Sequence, residues 1–278
     1  MVREQNPFLV IIHNYMMIIN VRNLNNFINK LFQWSNLKLF ILIIFFINPF
    51  QLTHAQFQKE PDGTIILDNF QDDTVGTLPY GWYNRDGNVK VWNLTGNDRD
   101  KYKYQIKENG GNKYLEYDGI KAMHLNLPLV NKKGINLEKT PILSWKWRVY
   151  DIPKGGNEND SDKNDSAAGI YVVYGFAGLF KLPKSIKYCW SSTLPVGTIL
   201  SKNFGKQKII VLESGSKNEG KWITFQRNIA QDYKNLFGED PPDKPIAILI
   251  LSDGNNTKSR VKADYDDIEL KPVDTTHR

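Results

Sequence analysis

Two sets of residues in this chain could do chemistry. The first is four carboxylates, Asp165, Glu213, Asp232 and Asp253, because cleaving a glycosidic bond needs only an acid and a second carboxylate about 5 to 10 Å apart. The second is the segment Leu143–Tyr150, LSWKWRVY, in which two tryptophans alternate with two cations. Successive strand side chains point to opposite faces, so Leu143, Trp145, Trp147 and Val149 share one side and Ser144, Lys146, Arg148 and Tyr150 the other. An aromatic ring stacks on the apolar face of a sugar while Asp, Asn and Arg bond its hydroxyls. Trp82, Trp92, Trp190 and Trp222 offer the same chemistry. Each of these residues has an ordinary role too. Glu213 ends a strand, Asp232 sits on a helix beside Tyr233, and Asp253 opens the turn Gly254-Asn255-Asn256. Large rings also fill sandwich cores, and with tryptophans spread along similar strands, Trp145 and Trp147 read as core. That moves the functional side of the segment to Lys146 and Arg148, which could face the acids that follow, Asp165 among them. The expected ligand-binding set is Lys146, Arg148, Asp165, Tyr188, Trp190, Arg227, Asp253 and Asn255.

Other chemistries lack their parts. A Ser or Cys nucleophile needs a nearby base, and the chain after the first 55 residues offers only His124, flanked by apolar residues in a strand, and His277 in the tail. There is no Gly-x-Ser-x-Gly elbow, no phosphate loop and no dinucleotide fingerprint. Cys189 is the single cysteine, so no disulfide forms within the chain and no zinc spacing exists. In an apolar strand it reads as a buried structural thiol. Asp160, Asp162 and Asn164 match the first ligand positions of a calcium loop, but Asp165 stands where glycine is needed and Tyr171 where glutamate is needed, so this is a solvated acidic loop rather than an EF-hand.

The elements that must position these residues are strands. From Thr64 onward, short runs rich in β-branched and aromatic residues are broken by Gly, Asn, Asp and Pro, the pattern of an all-β sandwich. Strands are expected at 64–70, 102–106, 113–117, 122–127, 142–150, 169–176, 186–191, 207–213, 221–227, 246–251 and 261–270, with hairpin turns at Asn109-Gly-Gly-Asn112 and Asp118-Gly119. One helix is expected over 228–237, with Asn228 as N-cap and Gly238 as its stop.

The first 55 residues read differently. They end in the apolar run Leu39–Ile47, preceded by Arg22, Lys30 and Lys38 and followed by Thr53-His54-Ala55. This predicts a secretory leader cleaved after Ala55, too short an apolar run for an ordinary span. The alternative is an uncleaved membrane anchor, and Met16 or Met17 is an alternative start. The remaining 56–278 suit a single domain. Its 32 Lys and Arg against 29 Asp and Glu, scattered without arginine clusters, give no argument for nucleic acid.

The succession of motifs LSWKWRV, Asp165 before Ile170-Tyr-Val-Val173, Tyr188-Cys-Trp-Ser191, Trp222, Arg227-Asn-Ile229, Asp232-Tyr233, Phe237-Gly238, Pro241-Pro242 and Ser252-Asp253 resembles the secreted bacterial family known as domain of unknown function 3047. The likeness covers nearly all of the chain after the leader. It implies an exported, sandwich-like domain with no assigned chemistry. The resemblance also implies a second acid after the position of Asp165 and an Arg at that of Gly169; here Ser166 and Gly169 stand there. A role for that acid and base pair is therefore in doubt. The two ends, Ile66-Leu-Asp-Asn-Phe70 with Leu78-Pro-Tyr-Gly-Trp82 and Tyr265-Asp-Asp-Ile-Glu-Leu270, look like carbohydrate-binding jelly rolls of galactose-binding type. That likeness implies paired first and last strands and makes Asp68, Asp73 and Asp267 candidates for a structural calcium.

The sequence thus predicts an all-β jelly-roll sandwich of about ten antiparallel strands with one short helix. It predicts an exported, periplasmic or extracellular, non-catalytic domain whose partner is a saccharide or cell-envelope component. A carboxylate-dependent glycoside hydrolase or polysaccharide lyase and a structural or interaction protein of the envelope are the alternatives.

Overall fold

The computed structural model describes residues 57–274. The leader expected over 1–55 and His277 lie outside the described residues. Within them the chain forms two sheets packed face to face, with every expected strand present.

The first sheet contains β1 (Gln58–Lys59), β2 (Ile65–Asp68), β3 (Tyr104–Asn109), β4 (Asn112–Gly119), β6 (Ile142–Asp151), β11 (Ile223–Asn228) and β13 (Val261–Lys271). The long β13 organises it. One edge pairs with β4 along Val261–Tyr265 and then with β2 along Ile268–Leu270, while the other pairs with β6. A bulge, which bends and twists a strand locally, falls where the partner changes: the register breaks between Asp266 and Glu269, where Asp267 has φ 48°. First and last strands therefore pair as expected. The turn Gly110-Gly111, with φ 61° and 83°, is the mirror-image hairpin its glycines predict.

The second sheet runs β5 (Leu125–Pro128), β12 (Ala247–Ile250), β7 (Ala168–Ala177), β8 (Leu182–Ser191), β10 (Gln207–Ser214) and β9 (Ile199–Lys202). All its neighbours are antiparallel except β8 and β10. After Ser191 the chain returns through β9, which pairs antiparallel with β10, so β10 begins beside Ser185 and runs parallel to β8.

The core lies between the sheets. Leu143, Trp145, Trp147 and Val149 from β6 meet Ile186, Tyr188 and Trp190 from β8, all fully buried. Trp145 lies 5.5 Å from Tyr188, 5.4 Å from Trp147 and 5.9 Å from Phe225 by ring centroids, distances at which aromatic pairs attract. Neither indole N–H has an acceptor, which fits rings that fill space rather than hold a ligand.

Two short helices flank the sandwich. α2 (Ile229–Phe237) has Asn228 accepting from Gln231 N at 2.9 Å and Gly238 at φ 73°, the cap and stop the sequence specified. α1 (Gly96–Asp100) was not expected: five residues without a buried side chain carry no apolar period to detect. No helix among the described residues is long and apolar enough to cross a membrane.

Candidate functional site on the outer face of the first sheet

Because Trp145 and Trp147 point inward, their strand neighbours form the outer face of the first sheet. Register aligns Arg148 with Asp264 of β13 and Asp264 with Glu116 of β4. A row of charge thus crosses three strands. Arg148 donates from Nε and Nη2 to Asp264 Oδ2 at 2.9 and 2.6 Å. Its guanidinium lies 4.5 Å from the Trp222 ring, 4.9 Å from Tyr150 and 5.4 Å from Tyr114. A planar cation held by a carboxylate and stacked on rings is a rigid support, and it sets the position of all three aromatics. Trp222 and Tyr114 are half-buried and meet edge to face at 5.7 Å, whereas Tyr150 is 38% exposed. Lys262 lies 5.3 Å over Tyr150 and pairs with Glu116 at 3.2 Å.

Beside Tyr150 opens a cleft of about 470 Å³ lined by Tyr150, Asp151, Ile152, Lys154, Glu219, Ser259 and Arg260. A smaller one of about 160 Å³ is lined by Arg99, Asp100, Lys103, Tyr104, Gln105 and Asp118. Arg260 joins them: it donates to both Asp118 oxygens at 2.7 and 2.6 Å and to Asp151 Oδ2 at 2.8 Å. The result is a mainly polar strip of paired donors and acceptors running from an exposed ring.

Burial pushes the Asp264 carboxyl up to about 6 against the pull of Arg148. Asp266, on the same face, is raised by burial to about 7 from 3.8, although Asn112 Nδ2 donates to it at 2.9 Å. A folded value above the unfolded one gives stability that is full below the unfolded value and lost as pH rises through 7. Asp73, raised by burial to about 7, acts the same way. His124 opposes them. Burial, with Arg85 and Lys187, lowers it to about 3 from 6.5, so its contribution is lost as pH falls below 6.5. Thermal stability should therefore peak on the acid side of neutrality. Asp266→Asn should lose less melting temperature than the unaltered protein between about pH 4 and 7, and an equal loss would remove Asp266 from this account.

Three of the expected site residues gather elsewhere, in the loops beside the second sheet. Asp165 is fully buried and accepts from the N–H groups of Asn256 and Thr257 at 3.2 and 2.7 Å. Asp253 accepts from Ser166 N at 3.0 Å, and Asn255 is exposed on the same turn. Sequence reading missed the centre of this group. Lys187, 3% exposed, donates to Ser166 Oγ at 2.7 Å, and Ser166 donates on to Glu158, which also takes Ser191 Oγ at 2.5 Å. Burial works against the Lys187 charge, but its surroundings, Asp253 and Glu158 among them, hold the ammonium above the ordinary lysine value. Burial in turn raises Asp253 to about 6. A Cβ on Gly169 would stand 3.1 Å from Lys187 Cε and 3.2 Å from Leu251 O. Lys187 from the neighbouring strand thus fills the space over Gly169. The signal was present as a lysine at an apolar strand's outward position, but nothing in the sequence marked that face as covered.

Several expectations change. Arg148 does not face Asp165; it is spent on Asp264, because register puts β13 and not the 152–166 loop beside it. Lys146 pairs with Asp267 across the bulge. Tyr188 and Trp190 offer no surface to a ligand, since even numbers on β8 point into the core; Tyr188 donates to Asp232 at 2.7 Å and Trp190 Nε1 to Gly215 O at 2.9 Å. Arg227 pairs with that same Asp232 from β11. Glu213 accepts from Ser214 N and Asn218 Nδ2, so the four carboxylates considered for catalysis fall at three separate places. The calcium candidates each bond to protein groups. Asp68 accepts from Trp82 Nε1 at 2.7 Å and Phe70 N at 2.9 Å, Asp73 from Tyr80 N at 3.1 Å, and Asp267 holds Lys146. Among the described residues no three His, Cys, Asp or Glu side chains form a group able to hold a metal ion.

A second aromatic group lies at Tyr80, Trp92 and Tyr83, with centroids 4.7 and 5.6 Å from Trp92 and Tyr80 40% exposed. It is the alternative platform.

Among solved structures the chain is similar to the family 11 carbohydrate-binding module of the cellulosomal cellulase Lic26A-Cel5E of Clostridium thermocellum, at 13% identity and a TM-score of 0.37, covering 79% of this chain and 100% of that one. It is similar to the family 30 carbohydrate-binding module of the cellulosomal cellulase Cel9D-Cel44B of Clostridium thermocellum at 9% and 0.38, covering 72% and 96%. It is also similar to CBM27-1 of Caldicellulosiruptor saccharolyticus, solved in complex with mannohexaose, at 13% and 0.32, covering 76% and 98%. No curated protein matches the chain. The profile of the family described as "Protein of unknown function (DUF3047)" matches residues 81–269, well over half of the sequence, and the chain belongs to that family.

Proposed function

We propose that this protein is an exported, non-catalytic binding domain whose ligand is a saccharide, held against Tyr150 and in the cleft beside it. The observation that carries the reading is that juxtaposition: an exposed ring, fixed from below by Arg148, at the mouth of a polar cleft of about 470 Å³. Stacking supplies affinity, and donors and acceptors with little freedom to rotate supply orientation. The leader-like residues before Gln56 support export.

A glycan array of cell-wall and plant-type saccharides tests the reading with the purified protein. Binding to at least one class is expected, and Tyr150→Ala should weaken it about tenfold or more, the scale of a lost stacking contact of about 1 to 3 kcal/mol. No binding across the array would overturn it. The hit should be recovered uncleaved after incubation; cleavage would favour a hydrolase working through Asp151 and Glu219, which both line the cleft. Binding should be the same with and without a calcium chelator, because Asp68 and Asp267 are bonded to Trp82 and Lys146.

A further inference from the structure

At one end of the second sheet, two hairpin tips stand side by side. β10 starts beside Ser185 of β8, with Gln207 opposite Ser185 and Ser185 N donating to Lys206 O at 2.9 Å. Beyond that pairing the β7–β8 tip carries Phe176, Leu179 and Phe180, and the β9–β10 tip carries Phe204. Their exposures are 65%, 92%, 79% and 92%. Singly exposed apolar residues are ordinary, but four bulky ones on adjacent tips form a patch, and such patches mark contacts. Phe204 also sits at φ 54°, a conformation costly for a large side chain and one that points to function when no packing explains it. Here the ring packs on nothing, being almost wholly in water.

The charge around the tips says what they meet. Residues 176–184 and 199–208 contain Lys181, Lys184, Lys202, Lys206 and Lys208 and no Asp or Glu. The acids that reach this end come from the end of α2: Glu239 pairs with Lys184, and Asp240 with Lys234. Among the described residues Lys181, Lys202, Lys206 and Lys208 form no ion pair with a carboxylate, and Lys202 Nζ donates to the backbone O of Asn159 at 3.3 Å. Apolar tips with lysines set behind them match the layered chemistry of an anionic bilayer surface, where hydrocarbon lies beneath phosphates.

We propose that the two tips form a peripheral membrane contact: Leu179, Phe180 and Phe204 enter the interface of an anionic lipid surface, and the lysines bind its headgroup phosphates. This goes beyond saccharide recognition and places it next to a membrane.

The test uses the whole chain, because its first residues include the apolar run Leu39–Ile47 and vesicle pelleting alone would not say which part binds. Phe180→Cys and Phe204→Cys are each labelled with an environment-sensitive dye; Cys189 is buried and escapes labelling. With vesicles of phosphatidylcholine containing one third phosphatidylglycerol, dye emission should shift to the blue, and high salt should weaken the effect because exposed charges are screened. Pure phosphatidylcholine should shift it less. In the dye-labelled Phe204→Cys protein, adding L179S/F180S should remove most of the blue shift while the protein melts as before. Dye emission that stays put while the protein pellets would overturn the proposal. A blue shift that appears without vesicles as protein concentration rises would assign the tips to a second copy and overturn it too.

Discussion

Lys187→Met is expected to cost the fold about 3 to 5 kcal/mol, the range seen when one partner of a buried charge group is removed. Its ammonium is the cation of a group in which Glu158, Asp165 and Ser191 are fully buried and Asp253 nearly so. Glu158 would keep the Ser166 and Ser191 hydroxyls and Asp253 the Ser166 N–H, but no positive charge would remain among them to offset three desolvated carboxylates. Adding Glu158→Gln should restore part of the loss, and the difference between single and double variants in denaturant midpoints measures the coupling. The penalty should also shrink on acidification, since carboxylates deprived of their cation protonate more readily. A variant as stable as the unaltered protein at neutral pH would mean that Lys187 is neutral in the fold.

Arg148→Ala should act on stability and on ligand together. It removes both donors to Asp264 Oδ2, and Asp264 Oδ1 already lacks a partner. With its side chain 1% exposed, the carboxylate has no recourse to water. A loss of about 3 kcal/mol is expected near pH 8, falling as pH drops toward about 6, the value at which Asp264 protonates even with Arg148 present. Saccharide affinity should fall about tenfold or more, because Tyr150 and Trp222 lose the plane they stack on. Arg148→Lys should recover less than half of either effect: an ammonium keeps the charge but neither the two-pronged bond nor the flat face. Full recovery by lysine would show that charge alone matters there.

What the sequence made legible follows what is periodic. Alternation alone put Trp145 and Trp147 on the buried face and Lys146 and Arg148 on the other, and capping chemistry placed α2 to within one residue. Pairing between distant strands was not legible. Nothing local says that β13 lies against β6, so the partner of Arg148 was sought in the nearby loop and not at Asp264, 116 residues away. Burial of an outward face is equally hidden, which is why nothing in the sequence singles out Lys187, and which face of β8 turns into the core, carrying Tyr188 and Trp190, is not legible from its apolar run either. The cleft combines residues from 150–154, Glu219 and 259–260, a set that only the fold assembles.

The most direct test of the saccharide site is oxidative footprinting of the protein with and without its array ligand. Bound saccharide should protect Tyr150 and Trp222 from oxidation and leave Tyr80 and Trp92 unchanged. Protection of Tyr80 and Trp92 with Tyr150 and Trp222 unaffected would contradict the account and move the binding surface to the other aromatic group.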